Sequence, residues 1–426
     1  MPRNILLAID GLRGDRLHRL IAAGHAPHLA GLIRRGTYAP LSFTGSSELP
    51  WMALATGTSD GAGETIWSAA HRQQRESILL KYPCGWPQEG VSVAIENCLI
   101  GSCRHVLDGP HLFCTDPAKA TKPIQLTPCD TWRGVPATDP PFLAAPLEFT
   151  LSDGASTMLY AVAMAETGAY KRVQITYKED RNYTLATLTP GNWSPWIPVE
   201  FRDIEKRGYV RLCLLELSTR GDLMTVYSTN VVPEEGWSTP QDKARQLTNQ
   251  LGPFLFNIGP TTHDSSWARL ATQFDNEGAR AAMELCAYQA DWLQRSATLL
   301  SRSEDWTFFW THSHIPEAVQ QPWCAGNPDH EEIHSAHLDE TYVLVDRFIG
   351  GIASLGDPET LVVVASYDRT NAGGSFVCFK GPGVKAKASI EEAVSITDIA
   401  STIAELMDVP APANSTGQPI RDMLTY

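Results

Sequence analysis

Two uninterrupted apolar runs, ILLAI at residues 5–9 and LVVVA at residues 361–365, restrict this chain to a narrow set of folds. An apolar run without alternation marks a strand covered on both faces, as in a parallel or mixed sheet flanked by helices. The first run stops at a carboxylate, Asp10. The second stops at Asp368, followed at once by Arg369 and a small-residue loop. In open α/β sheets ligands gather beyond the carboxyl ends of the strands, so both carboxylates are candidate site residues. A third run, WTFFWT, ends in His312 with His314 two residues on.

The remaining chain follows from the same periodicities. NILLAID reads as a strand, GDRLHRLIAAG as a helix stopped by Gly24, and APHLAGLIRRG as a second helix stopped by Gly36. A loop, SFTGSSELP, carries Ser46 and Ser47 ahead of the helical stretch WMALATG. Residues 62–145 are rich in Pro, Cys and Trp with little periodicity, which predicts an irregular cap. From 146 to 238, segments such as MLYAVAMA, RVQITYKE and VRLCLLEL succeed one another at hairpin spacing, which predicts an inserted antiparallel β subdomain. Helices return at 241–251 and 277–303, then the strand WTFFWTH, a helix over 331–354, the strand LVVVAS and a closing helix, SITDIASTIAELM. Residues 1–145 and 239–426 thus read as one discontinuous α/β core around the insert.

The 426 residues are 43% hydrophobic and 19% charged, ordinary material for a globular core. A net charge of −14 argues against nucleic acid or an acidic membrane surface as a partner. No run reaches transmembrane length, and Asp10 breaks the first apolar run too early for a signal peptide. The nine cysteines contain no CxxC pair, and Cys98, Cys103 and Cys114 with His105 and His111 match no usual zinc spacing. Free thiols in a reducing cytoplasm are the expectation. A small-molecule ligand is the expected partner, while the oligomeric state is not legible.

The motifs AIDGLRGD, APHLAGLIRRGTYAPL and SSELPWMALATGTSDG, with FKGPGVKAKASIEEAVSITDIASTIAELMDVPAPANSTGQPI near the end, resemble the alkaline phosphatase superfamily. The closest likeness is to its type I phosphodiesterase and nucleotide pyrophosphatase branch. That resemblance implies an alkaline-phosphatase-like core sheet sandwiched by helices. It also implies two divalent cations about 4 Å apart that activate a Thr or Ser nucleophile and neutralise phosphoryl oxygens. Ser47, four residues before Trp51, falls at the nucleophile position, and Asp10 and Asp368 fall at ligand positions. Arg369 stands where a ligand His belongs, His312 where an Asp belongs, and Pro316 where a second His belongs. A guanidinium cannot ligate metal.

These substitutions predict a divergent hydrolase or transferase of phosphodiester or ester type, working with no metal or with one zinc or manganese ion. Ser47 is the expected nucleophile, with Ser46 as the neighbouring hydroxyl. His312 or His314 is the expected base, oriented by Asp10 or Asp368. Arg369, Ser46 and Asn371 are the expected substrate contacts. A single metal would fall to Asp10, Asp368 and His312. Three other readings stand beside this one. The chain could be a non-catalytic binding relative, or an ordinary metal-dependent phosphodiesterase with rearranged ligands. The third is a relocated metal site at His330-Glu331-x-x-His334, with His337 on the same helix face.

Overall fold

The computed structural model of the chain describes residues 2–44, 50–84, 90–96, 105–255, 258, 266–324, 335–369 and 374–425. The chain divides into two compact units. The first comprises Met1–Cys103, Trp237–Gln246 and Gln289–Tyr426; the second comprises Arg104–Gly236 and Leu247–Tyr288.

The described residues of the first unit form a ten-stranded mixed sheet. Its strands are β1 (Asn4–Asp10), β2 (Thr37–Ser42), β3 (Ser77–Leu80), β4 (Val93–Ile95), β5 (Ser238–Thr239), β6 (Phe308–Ser313), β7 (Leu361–Tyr367), β8 (Phe376–Lys380), β9 (Ala388–Ser389) and β10 (Val394–Ser395). Their spatial order is β5-β4-β3-β6-β1-β7-β8-β2-β9, with β10 also on β2. The two apolar runs are therefore neighbours: β1 lies between β6 and β7, parallel to both. All seven residues of β1 are buried, as expected of a strand covered on both faces. Each large aliphatic side chain buried there contributes about 1.5–3 kcal/mol.

Helices flank the sheet: α1 (Gly14–Ala22), α2 (Pro27–Arg35), α3 (Pro50–Thr56), α4 (Ile66–His71), α5 (Ile315–Cys324), α6 (Ser335–Ala353) and α7 (Asp398–Met407). On one face Leu6, Ala8, Val363 and Ala365 pack with Trp51 of α3, Trp67 of α4, Tyr82 and Trp310. Trp67 and Tyr82 meet the Trp310 ring edge-on at 5.5 and 5.1 Å. Another helix is pinned from a distance. Asp346 of α6 accepts the backbone N–H groups of His28 and Leu29, satisfying two orphan donors at the start of α2.

The second unit has its own core, built on Phe113, Phe149, Ile197, Phe201 and Val226. Its antiparallel strands include Leu143–Thr150, Ser156–Glu166 and Ala169–Thr176, the hairpin succession expected from the sequence. Two expectations need correction. Residues 62–145 are no irregular cap, since 66–95 supply α4, β3 and β4 to the first unit. The β unit also begins at Arg104 rather than 146, because the strand His111–Cys114 pairs with Met224–Ser228. Runs of three or four residues such as SILL and VAI are too short to show a period, and pairing across a hundred residues has no local signature.

Helix α5 was not anticipated either. Pro316 stands in its first turn, where its missing N–H costs nothing. Among the described residues no helix is long and apolar enough to cross a membrane.

Candidate active site

Four adjacent parallel strands, β3-β6-β1-β7, end along one edge of the first unit's sheet. Register fixes what they present there. Ala8 of β1 lies opposite both His312 of β6 and Ala365 of β7. Side chains two apart in a strand share a face, so Asp10 and His312 emerge together on the face that Ala8 covers.

Asp10 and His312 are each 1% exposed and bonded to one another. Asp10 Oδ2 lies 2.8 Å from His312 Nε2. The other carboxylate oxygen, Oδ1, accepts from Trp51 Nε1–H at 2.8 Å. Trp51 is itself held, since its carbonyl accepts from the Tyr82 hydroxyl at 2.7 Å and its ring meets His312 edge-on at 5.9 Å. The Asp10 carboxylate thus has one donor on each oxygen. His312 Nδ1 is buried and has no hydrogen-bond partner among the described residues.

Burial decides the charges here. It pushes Asp10 up to about 7, against Arg369, the Trp51 hydrogen bond and Lys81, which all favour the carboxylate. It also holds His312 well below the ordinary imidazole value, and Lys81 and Arg369 add to that effect. His312 is accordingly neutral near pH 7. Once Asp10 is ionised, His312 must donate from Nε2, which leaves Nδ1 as a bare lone pair. That is the protonation state a general base needs.

The outer two strands of the row bring cations. Lys81, the residue after β3, has 7% of its surface exposed. Its Nζ lies 3.2 Å from His314 Nδ1. An ammonium can only donate, so Nδ1 of His314 accepts and its proton sits on Nε2. His314 stacks on His312 at 5.9 Å between centroids. Arg369, just past β7, meets Glu317 in the first turn of α5, with Nε 2.9 Å from Oε1. Burial, reinforced by Asp10, raises Glu317 to about 7 despite the guanidinium. Gly11 lets α5 come this close: its φ is +78°, and a Cβ there would stand 2.7 Å from the Glu317 backbone nitrogen.

Of the expected site residues, Asp10, His312, His314 and Arg369 converge. Asp10, rather than Asp368, orients the imidazole, and His312 is the histidine with an open nitrogen. Asp368 is buried nearby, its backbone N–H donating to Ser375 Oγ at 2.9 Å and its charge acting on Glu317 and Tyr367. Ser46, Ser47, Asn371, His330 and His334 lie outside the described residues. His337 lies on α6, with Nδ1 3.9 Å from Glu340 Oε2. Lys81, Trp51 and Glu317 were missed as functional residues. Lys81 carried the same strand-end signal as Asp10, an apolar run closing on a charge, but its run is only SILL.

Among the described residues the donors do not by themselves make up the two-cation centre implied by the family resemblance. Among the described residues no three His, Cys, Asp or Glu side chains converge to hold a metal ion. Both Asp10 oxygens are taken, His312 turns Nε2 toward Asp10 rather than toward a shared ion, and Lys81 and Arg369 repel a further cation.

No protein-family model matches the chain, and no curated protein matches it. Several solved structures are similar in course. Phosphonate monoester hydrolase SpPMH from Silicibacter pomeroyi is 12% identical, with 100% of this chain and 77% of that chain covered and a TM-score of 0.43. Wild-type alkaline phosphatase PafA is 10% identical over 100% of both chains, with a TM-score of 0.42. BT4656, solved with its substrate D-glucosamine-2-N,6-O-disulfate, is 11% identical over 99% of this chain and 80% of that one, with a TM-score of 0.40. At such identities and scores the likeness assigns neither substrate nor mechanism to this chain.

Proposed function

We propose that this protein is a hydrolase or transferase of the alkaline phosphatase superfamily, acting on an anionic ester through a serine–histidine–aspartate arrangement. The observation that supports this reading is the buried Asp10–His312 pair, in which one imidazole nitrogen is held at 2.8 Å and the other is bare. In such an arrangement the carboxylate sets the tautomer and the free nitrogen removes the proton from a nucleophilic hydroxyl.

Ser47 supplies that hydroxyl, on the strength of the sequence motif that precedes Trp51. Its oxygen attacks the ester centre as His312 Nδ1 takes its proton, and the leaving alcohol departs with that proton. Water, or a second alcohol in the transferase case, then enters by the reverse proton path. The motifs around Asp10 and Asp368 favour a phosphodiester or related ester as the substrate class.

A fluorophosphonate probe tests this without knowledge of the substrate. The serine oxygen bonds to phosphorus, fluoride leaves, and the proton passes to His312. Tandem mass spectrometry is expected to locate the adduct on Ser47, and His312→Ala is expected to abolish it. An adduct on Ser46 alone, or labelling that persists in His312→Ala, refutes the assignment.

A further inference from the structure

Building on that reading, we infer that Lys81 and Arg369 hold the anionic group of the substrate, doing with side-chain charge what the family resemblance assigns to divalent ions. The substrate class that follows is an ester with negative charge at or beside the reacting centre, bound by an ammonium on one side and a guanidinium on the other.

The placement carries the argument. Reading across the row β3-β6-β1-β7, the strand ends present Lys81, His312, Asp10 and Arg369 in that order. The two cations bracket the base and the carboxylate that orients it. Both act electrostatically on Asp10 and on His312. Lys81 is buried, whereas Arg369 is an exposed residue with 30% of its side chain accessible, anchored through Glu317.

The pairing of each cation points the same way. Among the described residues the ammonium of Lys81 bonds to an imidazole nitrogen, not to a carboxylate. A buried ammonium is costly unless an anion or several acceptors compensate it, and the nearest carboxylate in the row, Asp10, already has a donor on each oxygen. Arg369 is paired with Glu317, closest through Nε, and a guanidinium has other edges suited to a planar or tetrahedral oxyanion. Acidic groups facing the cluster are Asp10, Glu317 and Asp368; Asp10 is bonded to Trp51 and His312, and Glu317 to Arg369. An incoming oxyanion therefore meets two cations, with Asp10 and Glu317 already engaged by donors.

The test is binding of inorganic phosphate, read by calorimetry and by thermal shift, on the full chain with and without EDTA. Phosphate is expected to bind equally well in both conditions. Lys81→Gln and Arg369→Gln are each expected to weaken it about tenfold, as loss of a charge-assisted contact should. Binding that disappears with EDTA, or that neither substitution weakens, overturns the inference. The chelator arm uses the unmodified protein and so stands even if a variant does not fold. His312→Ala separates this claim from the one it rests on. Phosphate binding that depends on both cations, together with undiminished fluorophosphonate labelling in His312→Ala, would leave the cation pair standing and remove the serine–histidine reading.

Discussion

Asp10 and His312 face one another from adjacent parallel strands, Oδ2 2.8 Å from Nε2, with Asp10 two residues beyond the residue that pairs with His312. The stagger matters. Register pairs His312 with Ala8, whose small side chain leaves the space through which the carboxylate reaches back to the ring. Both groups lie buried, so the pair behaves as one unit in which the charge on the acid dictates the tautomer of the base.

Asp10→Asn should therefore be more damaging than its size suggests. The amide can still accept from Trp51, but its Nδ2 donates to His312 Nε2 and forces the ring proton onto Nδ1. Fluorophosphonate labelling should slow by about 10²–10⁴-fold, the range of a lost general base, with little change in melting temperature. Labelling at the wild-type rate would show that Asp10 has no part in setting the tautomer.

The pH response of activity and of stability should run in opposite directions. Labelling should accelerate as the pH rises through about 7, where Asp10 ionises and frees Nδ1. Stability should fall over a lower range, as pH rises from about 4 up to about 7. A carboxyl raised above its ordinary 3.8 favours the folded state in its protonated form, so that contribution is whole below about pH 4 and is lost as pH climbs through about 7. Glu317 adds a second loss of the same sign. Melting temperatures at pH 5, 6, 7 and 8 should drop more steeply for the wild type than for Asp10→Asn combined with Glu317→Gln. Parallel curves would refute this account.

Trp51→Phe keeps the ring and removes the donor to Asp10 Oδ1. The carboxylate then loses one of its two stabilising bonds, so the labelling profile should move to higher pH, and stability should fall by about 1–3 kcal/mol for a buried acceptor left without a partner. A pH titration of the labelling rate checks the first effect and chemical denaturation the second.

Gly11→Ala should injure the fold where the site is assembled. The residue combines a left-handed φ of +78° with a neighbour that a Cβ would approach to 2.7 Å. Backbone strain alone costs about 1–3 kcal/mol, and relief requires α5, and Glu317 with it, to move away from β1. Denaturation should show the loss, and phosphate affinity should fall with it as Arg369 loses its partner's position.

Much of this arrangement was readable from residue order, and the rest was not, for physical reasons. Continuous apolar runs ahead of Asp10 and Asp368 announced buried strands, since a period-free run is a direct imprint of two-sided burial. His312 was visible for the same reason. Lys81 was not, because a four-residue strand of a mixed sheet is too short to be distinguished from a loop, and its partner strand lies more than 200 residues away. Glu317 was hidden behind Pro316, a helix starter that resembles a breaker when the helix is unknown. The choice between Asp10 and Asp368 as the orienting acid depends on which oxygen reaches which nitrogen, and no pattern in one dimension contains that. The β unit's boundary failed for a related reason, since His111–Cys114 belongs with strands that follow it by a hundred residues.

The row of strand ends has a kinetic consequence. Its four members come from residues 77–80, 308–313, 4–10 and 361–367, so closing the row joins segments hundreds of positions apart in the chain. Such long loops are entropically slow to close, and contacts of this kind form late in folding. An oxyanion spanning Lys81 and Arg369 would act as a tie across that late-formed seam. Amide hydrogens in β3 and β7 should then exchange more slowly together when phosphate is bound, although the two strands share no hydrogen bond and the ligand touches only their tips.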